Sequence, residues 1–222
     1  MTNNIKLQEV CKQLHIPVVG TTSWPLPIEA REILQESNPC PFTAADIDER
    51  LIGTTDFMPH SAIVCLFPYH VPHKGPTNLS RYTWATDYHL VVTDYLQRLV
   101  DELKTTAPDA SFSIHCDTSP LADRYMAYLA GLGFYGKNKC FINPTWGSYI
   151  VIGTVLTTLE FESNTPMTDT CMGCNRCITS CLGQCLDGNA FNYATCKSYL
   201  TQKKGDLTDN EQAIIRKSPL LF

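Results

Sequence analysis

The sequence predicts an α/β (α+β) fold in two parts, a mixed domain over residues 1–164 and a cysteine-rich segment over residues 165–222. Three observations lead to this prediction. The run AIVCLF (62–67) is apolar throughout, which is typical of a strand covered on both faces. Apolar residues recur at helical spacing between residues 86 and 103, and six of the eleven cysteines follow residue 165.

The first half of the chain alternates predicted helices and strands. Apolar spacing predicts a helix over residues 4–14, PVVGTTS (17–23) predicts a strand that runs into a turn, and IEAREIL (28–34) predicts a second helix. The strand at 62–67 is expected to stop at Pro68, since proline has no amide hydrogen for a sheet ladder.

In the second half, four residues form one stripe along a helix predicted over 86–103: Val92, Leu96, Leu99 and Leu103. SFSIHC (111–116) alternates apolar and polar residues, which predicts a half-buried strand. A helix over 121–130 should follow, with Thr118 or Ser119 as its cap.

The remainder of the chain is predicted to contain loops, one long strand and a final helix. Residues 131–149 hold four glycines and predict a loop-rich connection, whereas residues 148–161 form the longest strand candidate. The stretch DNEQAIIRK (209–217) predicts a polar helix.

Composition narrows the class of protein. Apolar residues make up 44% of the 222-residue chain and charged residues 18%, as in globular proteins. The formal net charge of -5 argues against binding phosphate backbones over a broad basic face. The first ten residues lack the pattern of a secretory signal, and no apolar run reaches transmembrane length, so we expect a cytoplasmic protein without membrane contact.

The motif CMGCNRCITSC places four cysteines in residues 171–181. Because thiols stay reduced in the cytoplasm, metal ligation is favoured over a disulfide framework. The spacing C-x2-C-x2-C of Cys171, Cys174 and Cys177 lets three thiolates bind one four-iron cluster, and Cys181 would ligate a second cluster. Zinc would favour two separated pairs, and buried unliganded thiols give no reason for this spacing.

The ligand count for two clusters is incomplete. Two four-iron clusters need about eight thiolates, whereas the segment adds only Cys185 and Cys196 to the motif. Either further ligands lie outside this sequence, or a single cluster takes an unusual fourth ligand such as Cys185, Cys196 or an exogenous group. We assign Cys181 and Cys196 to the second cluster.

Four stretches in register resemble the cobalamin-dependent epoxyqueuosine reductase family: CDTSPLADRYMAYLAGLGFYGKN (116–138), GSYIVIGTVLT (147–157), the cysteine motif, and YATCKSYLTQKKG (193–205). The resemblance implies a nitroreductase-like cobalamin-binding domain followed by a partial ferredoxin-like iron–sulfur segment. It also implies reduction of the epoxide of epoxyqueuosine in the tRNA anticodon loop, with cobalamin and 4Fe-4S clusters as cofactors and an external electron donor.

The resemblance implies that Asp117, in CDTSPL, protonates the departing oxygen. An acid that works near neutrality needs a pKa raised by burial, which would have to outweigh the dipole of a following helix. The alternative is that Asp117 only caps the helix at 121–130. Asp123 is the nearby competitor, expected to be a surface partner of Arg124 or a first-turn dipole complement.

The resemblance further implies which residues border cobalamin: Ser80, Arg81, Tyr88 and His89 in LSRYTWATDYH (79–89), and Lys137 and Asn138 in the GKN turn. For His89 a structural role at a helix start stays open, and for the GKN turn an ordinary glycine-rich loop stays open.

Two other functions remain open from the sequence. One is a corrinoid reductase acting on a different substrate. The other is an electron carrier or redox sensor that uses only the cysteine segment. The missing second cysteine triplet and the acidic net charge keep these two alternatives open beside the reaction on tRNA.

Overall fold

A four-stranded antiparallel sheet forms the centre of the protein in the computed structural model, which describes residues 3–36, 39–72, 78–187 and 190–218. The strand order is β1 (Val18–Ser23), β2 (Ser61–Pro68), β6 (Ile150–Thr157) and β3 (Phe112–Cys116). Every neighbouring pair is antiparallel. The mixed α/β class predicted from the sequence is confirmed.

Strand β2 lies in the interior of the sheet and is buried on both faces. Residues 61–66 are all buried, as the continuous apolar run predicts. Successive side chains point to opposite faces, so Val64 and Leu66 join one core cluster while Ile63 and Cys65 join the other. The sheet therefore has a hydrophobic core on each side.

Helices cover both cores. On one face lie α1 (Asn3–Gln13) and α4 (Tyr88–Lys104); on the other lie α2 (Glu29–Glu36), α3 (Ile47–Ile52) and α5 (Asp123–Leu129). The predictions of α1, α2 and α4 are confirmed. Helix α3 was not predicted, because its six residues are too few to show a period.

The stripe predicted on α4 is its buried face. Val92, Leu96, Leu99 and Leu103 are each at most 3% exposed. Gly153 in β6 allows this close packing, because a Cβ there would lie 2.7 Å from Val92 Cγ1. The first turn of α4 is thereby fixed above the carboxyl end of β3.

The chain after β6 covers the free edge of β1. The Thr21 amide donates to Asn164 Oδ1 at 2.7 Å, and the Asn164 amide donates to the Thr21 carbonyl at 2.9 Å. The Thr21 hydroxyl donates to the Glu162 carbonyl at 2.7 Å. These bonds satisfy an edge that would otherwise be open to pairing with another chain.

The start of α5 differs from the prediction. The helix begins at Asp123 with Ala122 as N-cap, so the capping roles predicted for Thr118 and Ser119 are wrong. The Ala122 amide donates to the Arg50 carbonyl at 3.2 Å, which ties residues 117–122 to α3 as an irregular loop. The alternative that Asp117 caps this helix is excluded for the same reason.

Short elements make up the rest of the described chain. A hairpin of β4 (Phe134–Tyr135) and β5 (Phe141–Ile142) lies within the loop-rich connection. The cysteine-rich segment contains α6 (Arg176–Thr179), α7 (Lys197–Leu200) and the predicted final helix, α8 (Asp209–Arg216). Among the described residues, no helix has both the length and the apolar composition needed to cross a bilayer. The domain boundary after residue 164 stays a prediction.

Candidate active site

Asp117 lies directly after β3, in a left-handed backbone conformation with φ of 58°. The Thr118 amide donates to the Cys116 carbonyl at 2.6 Å, which tightens the turn at this point. A left-handed aspartate is uncommon and carries strain that the surrounding structure must hold. The turn aims the carboxylate away from the strand, with 60% of the side chain exposed.

Two side chains from the first turn of α4 contact the same carboxylate oxygen. Tyr88 Oη donates to Asp117 Oδ2 at 2.5 Å, and His89 Nε2 lies 3.3 Å from that atom. The two rings stack with centroids 4.1 Å apart. The Tyr88 hydroxyl makes the shorter of the two contacts with this oxygen.

Asp87 holds His89 from the other side. As the N-cap of α4, Asp87 accepts from the His89 amide at 2.9 Å, and its Oδ1 also lies 2.8 Å from His89 Nδ1. The hydrogen bond with Asp87, with a smaller contribution from Asp117, raises the pKa of His89. Backbone and side-chain hydrogen bonds from His89 lower the pKa of Asp87. His89 is thus oriented between two carboxylates.

Burial and contacts raise two further pKa values near Asp117. Burial and, to a smaller extent, the hydrogen bond to Asp117 raise the pKa of Tyr88 well above its usual value, so the phenol keeps its proton. Burial, followed by the charge of Asp117, raises the pKa of Asp123 to about 7. Asp123 is half-buried, so it is not the exposed partner of Arg124 that was predicted.

Ser80 and Arg81 lie at the start of the 3₁₀ turn Arg81–Trp84, which comes between β2 and α4 in the chain. Arg81 contacts the His70 ring by a hydrogen bond and its guanidinium lies 5.4 Å from the centroid of Tyr149. Ser80 is the N-cap of the turn and its carbonyl accepts from the Thr83 hydroxyl at 2.7 Å.

Aromatic rings connect this turn to Asp117. The Tyr69 ring contacts both Tyr149 and Tyr82, at centroid distances of 5.8 Å and 6.4 Å. Tyr82 in turn lies 6.0 Å from Tyr88, edge to face. Tyr82 and Tyr149 are 36% and 39% exposed, so Asp117 borders a partly open aromatic surface.

A cleft of about 460 Å³ opens on the other side of His89, between α4 and the end of β3. Its lining is mainly polar: Thr54, His89, Thr93, Gln97, Ile114, His115, Cys116, Thr118, Ser119 and Pro120. His115 contacts the Ser113 hydroxyl at 2.9 Å, and burial lowers its pKa.

Lys137 and Asn138 contact the neighbouring backbone and the cysteine motif. The Lys137 amide donates to Cys171 Sγ at 3.2 Å, and Lys137 Nζ donates to Asn175 Oδ1 at 2.9 Å. Asn138 Oδ1 accepts from the Cys140 amide at 3.1 Å. The GKN turn is therefore the place where the cysteine motif meets the sheet domain.

The turn that carries Cys171, Cys174 and Cys177 is strongly curved. Gly173 and Asn175 have φ of 78° and 53°, and all three thiols are at least partly exposed. Within residues 3–36, 39–72, 78–187 and 190–218, however, no three His, Cys, Asp or Glu side chains converge as a metal-binding group. The ligand roles of these cysteines stay predictions.

Three other thiols lie together after the motif. Cys181 Sγ and Cys185 Sγ are 3.2 Å apart, and the Cys185 amide donates to Cys181 Sγ at 3.3 Å. Cys185 also hydrogen-bonds Cys196. Although partial burial opposes it, hydrogen bonds from Cys185 and from the Gly183 and Leu186 amides lower the pKa of Cys181.

Sequence reasoning did not single out Asp87, the aromatic set or the contact of Cys185 with Cys181. Asp87 could have been found, because an aspartate directly before a helical stripe is a common N-cap. The tyrosines come from separate segments of the chain, at residues 69, 82 and 149, and only the fold brings them together.

Comparison with known proteins gives consistent results. The family model described as "Epoxyqueuosine reductase QueG, DUF1730" matches residues 57–118, which run from the loop before β2 to just past Asp117. The epoxyqueuosine reductase of Bacillus cereus is 38% identical over 130 residues, 58% of this chain and 34% of that protein. That of Listeria monocytogenes is 36% identical over 137 residues, 61% of this chain and 36% of that protein.

Solved structures extend the similarity to the whole chain. An epoxyqueuosine reductase from Streptococcus thermophilus superposes with a TM-score of 0.85 at 25% identity, covering 100% of this chain and 64% of that chain. The chain is similar to the epoxyqueuosine reductases in sequence and in fold. It spans about a third of the length of the curated relatives it matches.

Two further epoxyqueuosine reductase structures carry information about the site. One contains a tRNA-Tyr stem loop modified with epoxyqueuosine; it matches with 29% identity and a TM-score of 0.82 over 93% of this chain and 59% of that chain. The Bacillus subtilis enzyme was solved with a catalytic loop, named by an aspartate, swung out of the active site. It matches with 27% identity and a TM-score of 0.83, covering 96% of this chain and 60% of that chain.

Proposed function

We propose that this chain carries the catalytic part of an epoxyqueuosine reductase, in which Asp117 delivers a proton to the oxygen that leaves the epoxide. The observation that carries the proposal is the contact of Tyr88 Oη and His89 Nε2 with Asp117 Oδ2. The Bacillus subtilis relative, whose catalytic loop also carries an aspartate, supports this assignment.

The reaction consumes two electrons and two protons: the epoxide C–O bonds break, a C=C bond forms, and the oxygen leaves as water. Asp117 gives a proton to the departing oxygen as a general acid. Tyr88 orients the carboxyl group through a hydroxyl that keeps its proton, because its pKa is raised. His89, whose raised pKa favours the protonated ring, returns a proton to the carboxyl group. Asp87 fixes the His89 ring in place.

Residues at the aromatic surface fit a large flat ligand with amide side chains, which is the chemistry of cobalamin. Exposed rings such as Tyr82 and Tyr149 provide contact area, and Arg81 provides donors beside them. The proposed contacts are those expected from the sequence: Ser80, Arg81, Tyr88, His89, Lys137 and Asn138. When bound, cobalamin would supply a strongly reducing cobalt centre for the epoxide.

The residue types of the cysteine motif fit an iron–sulfur group, since thiols on a tightly curved backbone are its usual ligands. We assign Cys171, Cys174 and Cys177 to one cluster, and Cys181 with Cys196 to another. In this proposal, residues 1–164 form a nitroreductase-like domain and residues 165–222 a partial ferredoxin-like segment. An external donor supplies electrons.

The substrate is proposed to be epoxyqueuosine in a tRNA anticodon loop. Support comes from the relative solved with a modified tRNA-Tyr stem loop. The net charge of -5 makes the chain an unusual partner for RNA, so we expect binding to depend on local contacts near Asp117 rather than on overall charge.

The proposal is tested with Asp117→Asn in chain reconstituted with cobalamin, iron and sulfide. Turnover of an epoxyqueuosine-modified stem loop, measured by mass spectrometry of nucleosides, should fall by about 10²-fold or more. Cobalamin binding, measured by visible absorption, should be unchanged. Asp94→Asn on the exposed side of α4 is the control and should keep full turnover.

Tyr88→Phe keeps the ring and removes the hydroxyl that orients Asp117, and we expect about a tenfold loss of turnover. Unchanged turnover in Asp117→Asn would remove Asp117 from the mechanism. A spectrum with iron–sulfur bands and no bound cobalamin would instead favour an electron carrier.

A further inference from the structure

The thiols of Cys181 and Cys185 are positioned to react with each other. Their sulfur atoms are 3.2 Å apart, so an approach of roughly 1 Å would bring them to the length of a disulfide bond, about 2.05 Å. The two residues lie on one compact turn, where the Gln184 amide donates to the Cys181 carbonyl at 3.0 Å. The backbone thus already holds the pair together.

The backbone of Cys185 also contacts the Cys181 sulfur. The Cys185 amide donates to Cys181 Sγ at 3.3 Å, so the sulfur of Cys181 is held against both the side chain and the backbone of Cys185.

The two thiols differ in exposure in the way that such a pair requires. Cys181 is half-buried and open to a small oxidant, whereas Cys185 is 6% exposed and lies behind it. A reachable thiolate beside a protected second thiol is the arrangement of redox-responsive cysteine pairs. Cys185 has no ligand role in the function proposed above.

We propose that Cys181 and Cys185 form a reversible disulfide with low-molecular-weight disulfides as the oxidant. The Cys181 thiolate attacks one sulfur of the small disulfide and releases one small thiol. The Cys185 thiol, after giving its proton to solvent, attacks the Cys181 sulfur and releases the second small thiol. Two protein thiols are oxidised to one disulfide, and one small disulfide is reduced to two thiols.

The competing pair is Cys185 with Cys196, because Cys196 also lies near the Cys185 thiol. The structure favours Cys181, whose sulfur lies 3.2 Å from that of Cys185 and accepts from the Cys185 amide at 3.3 Å. Cys196 is instead the N-cap of the short helix α7 and shows no side-chain cap bond. We therefore expect about ten times more of the Cys181–Cys185 disulfide than of the Cys185–Cys196 disulfide.

Peptide mapping of the metal-free chain tests the proposal directly. The chain is treated with oxidised glutathione under anaerobic conditions, alkylated, and cut with trypsin and with a protease that cleaves before aspartate. These cuts place Cys177, Cys181 and Cys185 in the peptide 177–186 and Cys196 in the peptide 187–197. A Cys181–Cys185 bond stays within the first peptide: the peptide loses two hydrogens, Cys177 carries the alkyl label, and no fragments form between residues 181 and 185.

Variants make the result specific. Cys185→Ser and Cys185→Ala should abolish the internal bond, and Cys40→Ser, which removes a thiol outside the segment, should leave it unchanged. A cross-link between the two peptides, or full alkylation of Cys181 and Cys185 in the wild-type chain, would overturn the proposal.

One consequence rests on the proposed cluster. Since Cys181 is assigned as a cluster ligand, ligation and disulfide formation would use the same sulfur and exclude each other. Wild-type chain oxidised before reconstitution should bind less iron than reduced chain, and treatment with a thiol reductant before reconstitution should remove the difference. If reduced chain binds no iron at all, the cluster assignment fails while the peptide map still decides the disulfide.

Discussion

The sheet domain and the cysteine-rich segment are built in different ways. Around the sheet, two clusters of buried apolar side chains lie on either face of β2 and β6. In the described part of the segment after residue 165, the buried hydrophobic residues are Cys185 and Leu200. Helices α6 and α7 have four residues each, too short to be stable alone.

The difference shows what stabilises each region. Burial of apolar surface is sufficient to hold the sheet domain, because each buried aliphatic side chain contributes about 1.5–3 kcal/mol. The segment depends on backbone hydrogen bonds, on contacts with the GKN turn and, under the proposed function, on ligation of its thiols. Substitutions should therefore act differently in the two regions.

The largest effect is expected from Leu96→Ala in α4. Leu96 is fully buried between the helix and the sheet, so the change should lower the free energy of unfolding by about 3 kcal/mol. Chemical denaturation measures it. Leu90→Ala on the same helix, where the side chain is 68% exposed, is the control and should cost less than about 0.5 kcal/mol.

A second substitution, Gly183→Ala, should disturb only the cysteine-rich segment. A Cβ at Gly183 would lie 1.7 Å from the Thr195 carbonyl oxygen, so the turns around residues 183 and 195 must separate. We expect loss of about 2 kcal/mol of local stability, seen as faster amide exchange over residues 181–200.

The main unfolding transition of Gly183→Ala should stay within error of the wild type, because the sheet cores are untouched. Gly205→Ala is the comparison within the same segment, because a Cβ there meets no atom within 4 Å and the left-handed backbone (φ 87°) leaves strain without a clash. Equal exchange over residues 181–200 in the two variants would contradict the steric argument.

A smaller effect, dependent on pH, is expected from Asp123→Asn in the sheet domain. The pKa of Asp123 is raised to about 7, so the folded state holds a proton that the unfolded state releases near pH 4. Stability is therefore lost as the pH rises from about 4 to 7, and Asp123→Asn should avoid this loss.

Asp123→Asn should gain roughly 1–2 kcal/mol over the wild type at pH 8 and almost nothing at pH 4, after allowing for its partial exposure. Thermal unfolding across this range measures the difference. Asp109→Asn at an exposed turn should show no such trend, and a constant difference at all pH values would refute the assignment.

The smallest effect is expected at the N-terminus of α8. The Thr208 hydroxyl and the Glu211 carboxylate form a capping box, with Thr208 N donating to Glu211 Oε2 at 2.8 Å. Thr208→Ala should lower the stability of this helix by about 1 kcal/mol. Faster amide exchange in its first turn would show the fraying. Thr208→Asn should restore most of the loss, because asparagine is also a good cap.

Several elements could be predicted because their signal is local. The continuous apolar run of β2, the stripe of α4 and the capping signature of α8 each lie within one segment of the sequence. The start of α5 was wrong, since Thr118 and Ser119 offer good local caps and a tertiary bond from Ala122 to Arg50 overrides them.

The sequence by itself determined the mixed α/β class and the buried faces, and it named an aspartate and a set of cysteines as candidates for chemistry. Only the tertiary structure decided which of these groups meet: Tyr88 and His89 contact Asp117 across 29 and 28 residues of chain. The physical reason is that periodicity reports on burial, which is a local property of each element. Contacts between distant segments depend on strand order and helix packing, which close apolar faces on one another and leave no local pattern in the sequence.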